Sequence, residues 1–390
     1  MSMIGYKWFR YGTLLLLPVL LTLCVSCSDD ESEDDPMLSI YVYAPERPAV
    51  TRGEIIPTEE EAKIHNLQIW VFRSSNPSKM VATLTLTKEE ELQSLNEQKS
   101  ASYNIALKDR SFAESPEPVD VYVLANVLNN NGSNTLETIT SSDDLNAAVF
   151  NGGHFYSFWN DNDHQAVSTV PSDKGVPMSG VARGKSVIDR NNVLHINDAN
   201  VKLLRTVSKI RFVFSSLKGE QQLYLDDVEL KTGMMYSKVR FFLDDAHPHF
   251  WVEGANSNWP VRLVEKDLTN PIAQNDNPAD YAFSSSMTES EYEAKIEEWL
   301  AMEEPPLTSK GIVYLPESDK RLTGTIYYRL GNEPGTRRAA TFSMVSGDFR
   351  RNQTWIVYAY YTGSSKLEIS SVRMTDWEDG GTWNHEIHNW

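Results

Sequence analysis

Short runs in which apolar and polar residues alternate at every second position, each closed by a turn signal, recur through most of this chain. A strand presents successive side chains to opposite faces, so such runs describe sheets with one buried face, stacked into sandwiches. The fold expected is therefore all-β. Leu38, Ile40 and Val42 alternate with Ser39, Tyr41 and Tyr43 in the first run, and Ile64, Leu67, Ile69 and Val71 mark the second. Residues 80–86, 103–107 and 119–125 continue the series. A second series opens at VKLLRTVSKIRFVFSS from Val201, continues through 222–230, 238–243, 311–315, 323–330, 339–344 and 354–361, and ends with 366–374.

Helices are expected only as short insertions. Thr87-Lys88-Glu89-Glu90 has capping-box spacing, Ser142-Asp143-Asp144-Leu145 resembles a helix start, and Thr288 with Glu291 caps a run in which Tyr292, Ile296, Trp299 and Leu300 recur at helical spacing. The polar stretch 191–200 is the expected boundary between two domains, 37–200 and 201–390. Neither a Gly-rich phosphate loop nor a βαβ alternation is present, which argues against a doubly wound fold.

Both cysteines lie at the N-terminal end, so the rest of the chain can form no disulfide and must be stabilised by burial. Lys7 and Arg10 precede a short apolar run from Leu14 to Val25, the charge order and length of a secretory signal. Val25-Ser26-Cys27 resembles the lipobox of bacterial lipoproteins, which implies a signal peptide of residues 1–26 and acylation of Cys27. Cys24 stands where that motif usually has Leu; acylation there would put bulky Leu23 at the cleavage position. Residues 27–36 then form an acidic tether, SDDESEDD, either a plain spacer or a signal for export to the outer leaflet of the outer membrane. The formal net charge of −18 repels phosphate backbones, so nucleic acid is not an expected partner.

Several segments, taken in order, resemble the fimbrillins, pilus subunits made from lipoprotein precursors. They are Ala49-Val50-Thr51-Arg52 before an acidic segment and HNLQIWVF; VDVYVLANV; VPMSG; VKLLRTVSKIRF; GIVYLPES; RRNQTW; and VRMTDWEDGG. The resemblance implies two tandem transthyretin-like β-sandwich domains and assembly by donor-strand exchange. Cleavage between Arg52 and Gly53 would remove the first strand, and a strand of the next subunit would fill the groove. The implied donor is 366–374, where Leu367 and Ile369 are out of phase with Val372 and Met374, a pattern read as a bulge between two short strands. Implied partners are other pilin subunits and the outer membrane, reached through the lipid anchor. A shaft, tip or anchor role stays open.

From the residues themselves, Val121 and Val123 are expected to face a core, Asn126 to close its strand, and Arg205 and Lys209 to carry their heads to solvent or a carboxylate. No segment has a catalytic or cofactor signature. His247 and His249 beside Asp244 and Asp245, His385 with His388, and the loop Asn160-Asp161-Asn162-Asp163 lack the full ligand sets that zinc or calcium require, so no metal is expected. Phe155, Tyr156, Phe158 and Trp159, and Trp251 with Trp259, could stack on surface glycans. A satellite core beneath a long loop is the favoured reading of them.

Overall fold

The alternating runs become strands that stack as layers. The computed structural model describes residues 36–45, 61–128, 136, 139–151, 159–160, 165–166, 175–190, 193–231, 238–253, 260–263, 270–331, 336–344, 350–364 and 366–374. Sheet I has the order β10 (Val187–Arg190), β11 (Val193–Lys202), β1 (Met37–Tyr43), β4 (Ser100–Ala106). Sheet II runs β12 (Leu204–Arg205), β9 (Met178–Lys185), β5 (Val119–Ala125), β2 (Leu67–Arg73), β3 (Asn76–Leu86). Their facing sides enclose one core, in which Leu38, Ile40 and Val42 of β1 meet Ile69, Val121 and Val123 of sheet II.

Two further sheets enclose a second core. Sheet III runs β17 (Gln274–Asn275), β13 (Val207–Leu217), β21 (Thr354–Tyr361), β22 (Glu368–Met374), with β18 (Thr308–Pro316) also on β13. Sheet IV runs β20 (Arg338–Ser343), β19 (Thr323–Leu330), β14 (Leu223–Lys231), β16 (Pro260–Leu263), β8 (Gln165–Ala166), β7 (Trp159–Asn160). Phe212, Trp355 and Val357 of sheet III pack there against Leu225, Ile326 and Tyr328 of sheet IV. A small ribbon pairs β6 (Val149–Asn151) with β15 (Lys238–Arg240). The chain leaves sheet II at Arg205 and enters sheet III at Val207, and a third cluster joins the two halves: Phe72 and Tyr122 on the outer side of sheet II meet Val207, Ile312 and Tyr314.

Among the described residues four α-helices decorate the sheets: α1 (Glu89–Gln98), α2 (Ser111–Glu114), α3 (Ser142–Ala147) and α4 (Glu289–Leu300). The Thr288–Glu291 box caps α4 as expected, with Glu291 N donating to Thr288 Oγ1 at 3.2 Å and Thr288 N to Glu291 Oε2 at 2.7 Å. Tyr292, Ile296 and Leu300 then pack on Val213, Ile356 and Tyr358, covering the second face of sheet III. In α1 the cap lies one residue later than expected, at Lys88, whose N–H donates to Glu91 at 3.4 Å.

Two expectations need correction. The stretch 191–200 is no linker: from Val193 it is β11, with Leu194, Ile196, Ala199 and Val201 buried in the first core. Its polar residues belong to the outward face and to a bulge opposite Ser39 and Tyr41, where Asp198 takes φ 52°. The bulge expected within 366–374 is also absent. β21 and β22 share one unbroken antiparallel register, from Thr354 opposite Met374 to Tyr360 opposite Glu368. Sheet III is covered on both faces, by the second core and by α4, so its strands need not keep a single apolar parity.

Candidate functional site

β1 is the strand that the sequence singles out for exchange, and it lies inside its sheet. It pairs antiparallel with β4 along its whole length and parallel with β11 on its other edge. The pairing extends past both ends: Leu107 N donates to Pro36 O at 3.1 Å, Ala44 N to Lys99 O at 3.0 Å and Leu203 N to Tyr43 O at 2.9 Å. Leu38, Ile40 and Val42 are each 0% exposed, and burying a side chain of that size is worth about 1.5–3 kcal/mol. Taking β1 away would therefore uncover two rows of backbone donors and acceptors flanking an apolar slot.

Immediately downstream, Cys27, Arg52 and Gly53 lie outside the described residues; the chain is described again from Glu61. That residue is fully buried. Its carboxylate accepts from Lys209 Nζ at 3.2 Å and from the Tyr314 hydroxyl, while its carbonyl accepts from Arg205 Nε at 3.3 Å. Lys209 and Tyr314 are register partners on β13 and β18, so they present their heads side by side. The expected outlet for Lys209 is thus a carboxylate, and the burial of both partners excludes the solvent alternative.

Asn126, which closes β5 at φ 60°, holds the next few residues. Its Oδ1 accepts from His65 N at 2.8 Å, and its Nδ2 donates to Lys63 O at 2.8 Å and to Val176 O at 2.9 Å. Together these bonds fix residues 61–66 to the body of the protein, whereas β1 is held by its ladders and its side chains.

A second buried ion pair sits nearby in the chain's architecture. Arg351 Nε donates to Glu317 Oε2 at 3.2 Å, and its other nitrogens donate to Ser179 Oγ at 3.2 Å, Phe241 O at 3.3 Å and Arg240 O at 2.7 Å. Burial pushes the Glu317 carboxyl above its ordinary range and lowers the Arg351 guanidinium to about 10. Segments picked out in the sequence thus meet here: VPMSG gives Ser179, GIVYLPES gives Tyr314 and Glu317, VKLLRTVSKIRF gives Arg205 and Lys209, and RRNQTW gives Arg351. Within VPMSG, Gly180 is required because a Cβ would lie 2.3 Å from the Lys202 carbonyl oxygen at the end of β11.

Of the residues expected to donate, Leu367 and Ile369 pack against the second core, and positions 372 and 374 continue β22 opposite Ile356 and Thr354. Among the described residues β22 is an edge strand, paired with β21 alone. The histidine candidates are engaged elsewhere: His247 Nδ1 lies 2.8 Å from Asp244 Oδ1, and His249 stacks on Trp251 with centroids 4.4 Å apart. His385, His388, Asp161, Asn162, Asp163, Phe155, Tyr156, Phe158 and Trp259 lie outside the described residues. Among the described residues no group of three or more His, Cys, Asp or Glu could hold a metal ion.

No family model matches the sequence. No curated protein matches it either. Solved structures do. A candidate cell adhesion protein from Parabacteroides distasonis aligns over 87% of this chain and 97% of its own length, with 15% identity and a TM-score of 0.52. The tip fimbrial protein Mfa3 of Porphyromonas gingivalis, in a C-terminally truncated form, aligns over 87% of this chain and all of its own length, with 16% identity and a TM-score of 0.50. The fold is fimbrillin-like. A fimbrilin, FimA, from Porphyromonas gingivalis aligns at 10% identity over 87% of this chain and 97% of its own, with a TM-score of 0.47, and adds nothing to that assignment. In this fimbrillin-like chain the buried polar groups of Glu61, Lys209, Glu317 and Arg351 tie distant segments together, and β1 is an interior strand of sheet I.

Proposed function

We propose that the chain is a subunit of a cell-surface fimbria, made as a lipoprotein precursor and assembled by donor-strand exchange. The observation that supports it most is the place of β1: a doubly paired interior strand whose Leu38, Ile40 and Val42 are fully buried, followed by a segment that carries Arg52 and ends at the clamped Glu61. Acylation at Cys27 would hold the precursor at the outer membrane. Cleavage between Arg52 and Gly53 would release lipid and β1 together, while the Glu61 clamp keeps the cut end of β2 in register. The vacated slot then takes an extended strand from a neighbouring subunit, the β-augmentation mode of recognition.

The proposed donor is the chain from Lys366 onward, with Leu367 and Ile369 at one parity and Val372 and Met374 at the other. Donation by β22 breaks one ladder, that with β21, and an edge strand can leave without disturbing a partner on its far side. Tandem domains 37–200 and 201–390 are proposed on the two sheet pairs with their separate cores; β12 (Leu204–Arg205) crosses that boundary into sheet II, and β7 and β8 cross it into sheet IV. A tip or anchor role is the second reading, favoured for the tip by the likeness to a tip fimbrial protein; an anchor would keep Cys27 and β1. Surface glycans or host proteins are the proposed outward partners.

Arg52→Ala tests the reading in cells. It is expected to leave a palmitate-labelled precursor and to abolish the denaturant-resistant polymer ladders of surface extracts. Unchanged ladders from the variant would show that exchange does not depend on this cut.

A further inference from the structure

A cleft of about 470 Å³ opens beside β17 of sheet III. β17 runs parallel to the end of β13, with Gln274 opposite Ser216 and Asn275 opposite Leu217, and forms one wall. A 3₁₀ turn, Pro278–Tyr281, contributes to a second, and residues 304–306 beyond α4 form a third. The walls are tied to the body of the protein. Tyr358 Oη donates to Pro278 O at 2.8 Å, Tyr292 Oη to Tyr281 O at 2.9 Å, and Ala273 N to Thr308 Oγ1 at 2.8 Å. A cleft held in this way is formed before any ligand arrives, as small-molecule sites usually are.

The chemistry of these walls is one-sided. Asn275 is 8% exposed; its Nδ2 donates to Pro306 O at 2.9 Å, and its Oδ1 has no partner among the described residues. A carbonyl can only accept, so the bond to Pro306 fixes which way the amide points. Because Asn275 and Pro306 both line the cleft, the unpaired acceptor stands in its back wall. A buried acceptor without a donor is costly, and a ligand hydroxyl supplies one. The exposed carboxylates of Asp276, Asp280 and Glu304 add acceptors around it, against the single cation Lys218. Gln274 adds no free donor, since its Nε2 is shared between Leu217 O at 3.4 Å and Glu220 O at 3.3 Å.

These features define the ligand by what they admit. Three carboxylates repel an anion, and an apolar molecule would strip water from every polar group of the walls without replacing it. Among the described residues no three His, Cys, Asp or Glu converge to hold a metal ion, and the volume is that of a site for a small organic molecule. An organic ammonium would meet Lys218 as a like charge, whereas a sugar ring oxygen would accept from it. The half-buried Tyr281, braced edge-on against Trp299 with centroids 4.8 Å apart, offers an aromatic surface to the C–H groups of a sugar ring. We infer that the cleft between β17, the Pro278–Tyr281 turn and residues 304–306 binds an uncharged sugar, the terminal one or two units of a surface glycan. Its use in adhesion rests on the fimbrial reading.

Glycan-array binding followed by titration calorimetry tests the site, using the chain from Ser28 onward, which contains the whole compact unit Pro36–Trp390. Neutral glycans are expected to bind and sialylated ones to be refused, with a Kd of about 1 mM for the best free mono- or disaccharide. Asp280→Asn, an exposed replacement of nearly equal shape, is expected to weaken that binding about tenfold with Tm unchanged, and Asn275→Leu to weaken it as much. Spermidine and calcium chloride, titrated as competing cations, are expected to give no response that Asp280→Asn removes. An array without neutral binders, binding that both variants retain, a preference for sialylated glycans, or a cation response lost in Asp280→Asn would each overturn the assignment. None of these outcomes bears on the Arg52→Ala ladders, which test the fimbrial reading separately.

Discussion

Glu61→Ala is expected to lower stability by about 3–5 kcal/mol, because it leaves the Lys209 ammonium buried without its carboxylate. For a chain of this size that corresponds to a fall in Tm of about 4–7 °C, measured by calorimetry. The Tyr314 hydroxyl and Arg205 lose acceptors or alignment in the same step, so the loss exceeds that of a surface ion pair, which is typically under about 1 kcal/mol. Glu61→Ala with Lys209→Met should regain most of the loss, since an apolar pair of similar volume costs no desolvation. If Glu61→Ala alone melts within about 2 °C of wild type, the clamp is not what holds the segment after the cut.

The second large effect is expected at Arg351. Arg351→Met removes the guanidinium paired with Glu317 and the donor to Ser179 Oγ and to the Arg240 carbonyl, leaving the Phe241 carbonyl only the Ser179 hydroxyl, which should cost about 3–5 kcal/mol. The direction of the pKa shifts says what kind of interaction this is. Desolvation holds the Glu317 carboxyl above its ordinary value, so its contribution is fully present below the unfolded pKa and is lost as pH rises through the folded one. Arg351 is lowered to about 10, so its burial costs stability at any pH below that value. At neutral pH the pair is a geometric lock bought with desolvation. Glu317→Gln should accordingly flatten the dependence of stability on pH between the acid range and neutrality, while Arg351→Met deepens it. A single loss at Arg351 of less than about 1 kcal/mol, by denaturant titration, would show that the site is open to water.

The parts of the fold that could be read from the sequence are those whose partners are local. β1, β2, β5 and β13 announce themselves by alternation or by an unbroken apolar run, and α4 by its box and its Tyr292–Ile296–Leu300 stripe. β11 was hidden because half of its residues face outward and are polar, its bulge at Asp198 interrupts the period, and its partner β1 lies about 150 residues away in sequence. The phase change in 366–374 looked like a bulge because a strand covered on both faces has no single apolar parity, and only the packing of α4 on sheet III reveals the second cover.

At the candidate site, the exchange strand was legible and its clamp was not. Glu61 is one of several consecutive acidic residues, and nothing local separates it from its neighbours; the signal available was on the other side of the contact, in the cations Lys209 and Arg211 of a strand buried almost throughout. Arg351 lay inside a motif already singled out, but its four acceptors come from three distant segments.

The central claim is that β1 leaves when the subunit joins a fimbria, and the N-terminal residue of protein taken from surface filaments tests it most directly. Cleavage and exchange predict Gly53, with acylated Cys27 confined to the membrane-held precursor. Filament protein that begins at Cys27 and still contains Leu38, Ile40 and Val42 would contradict it.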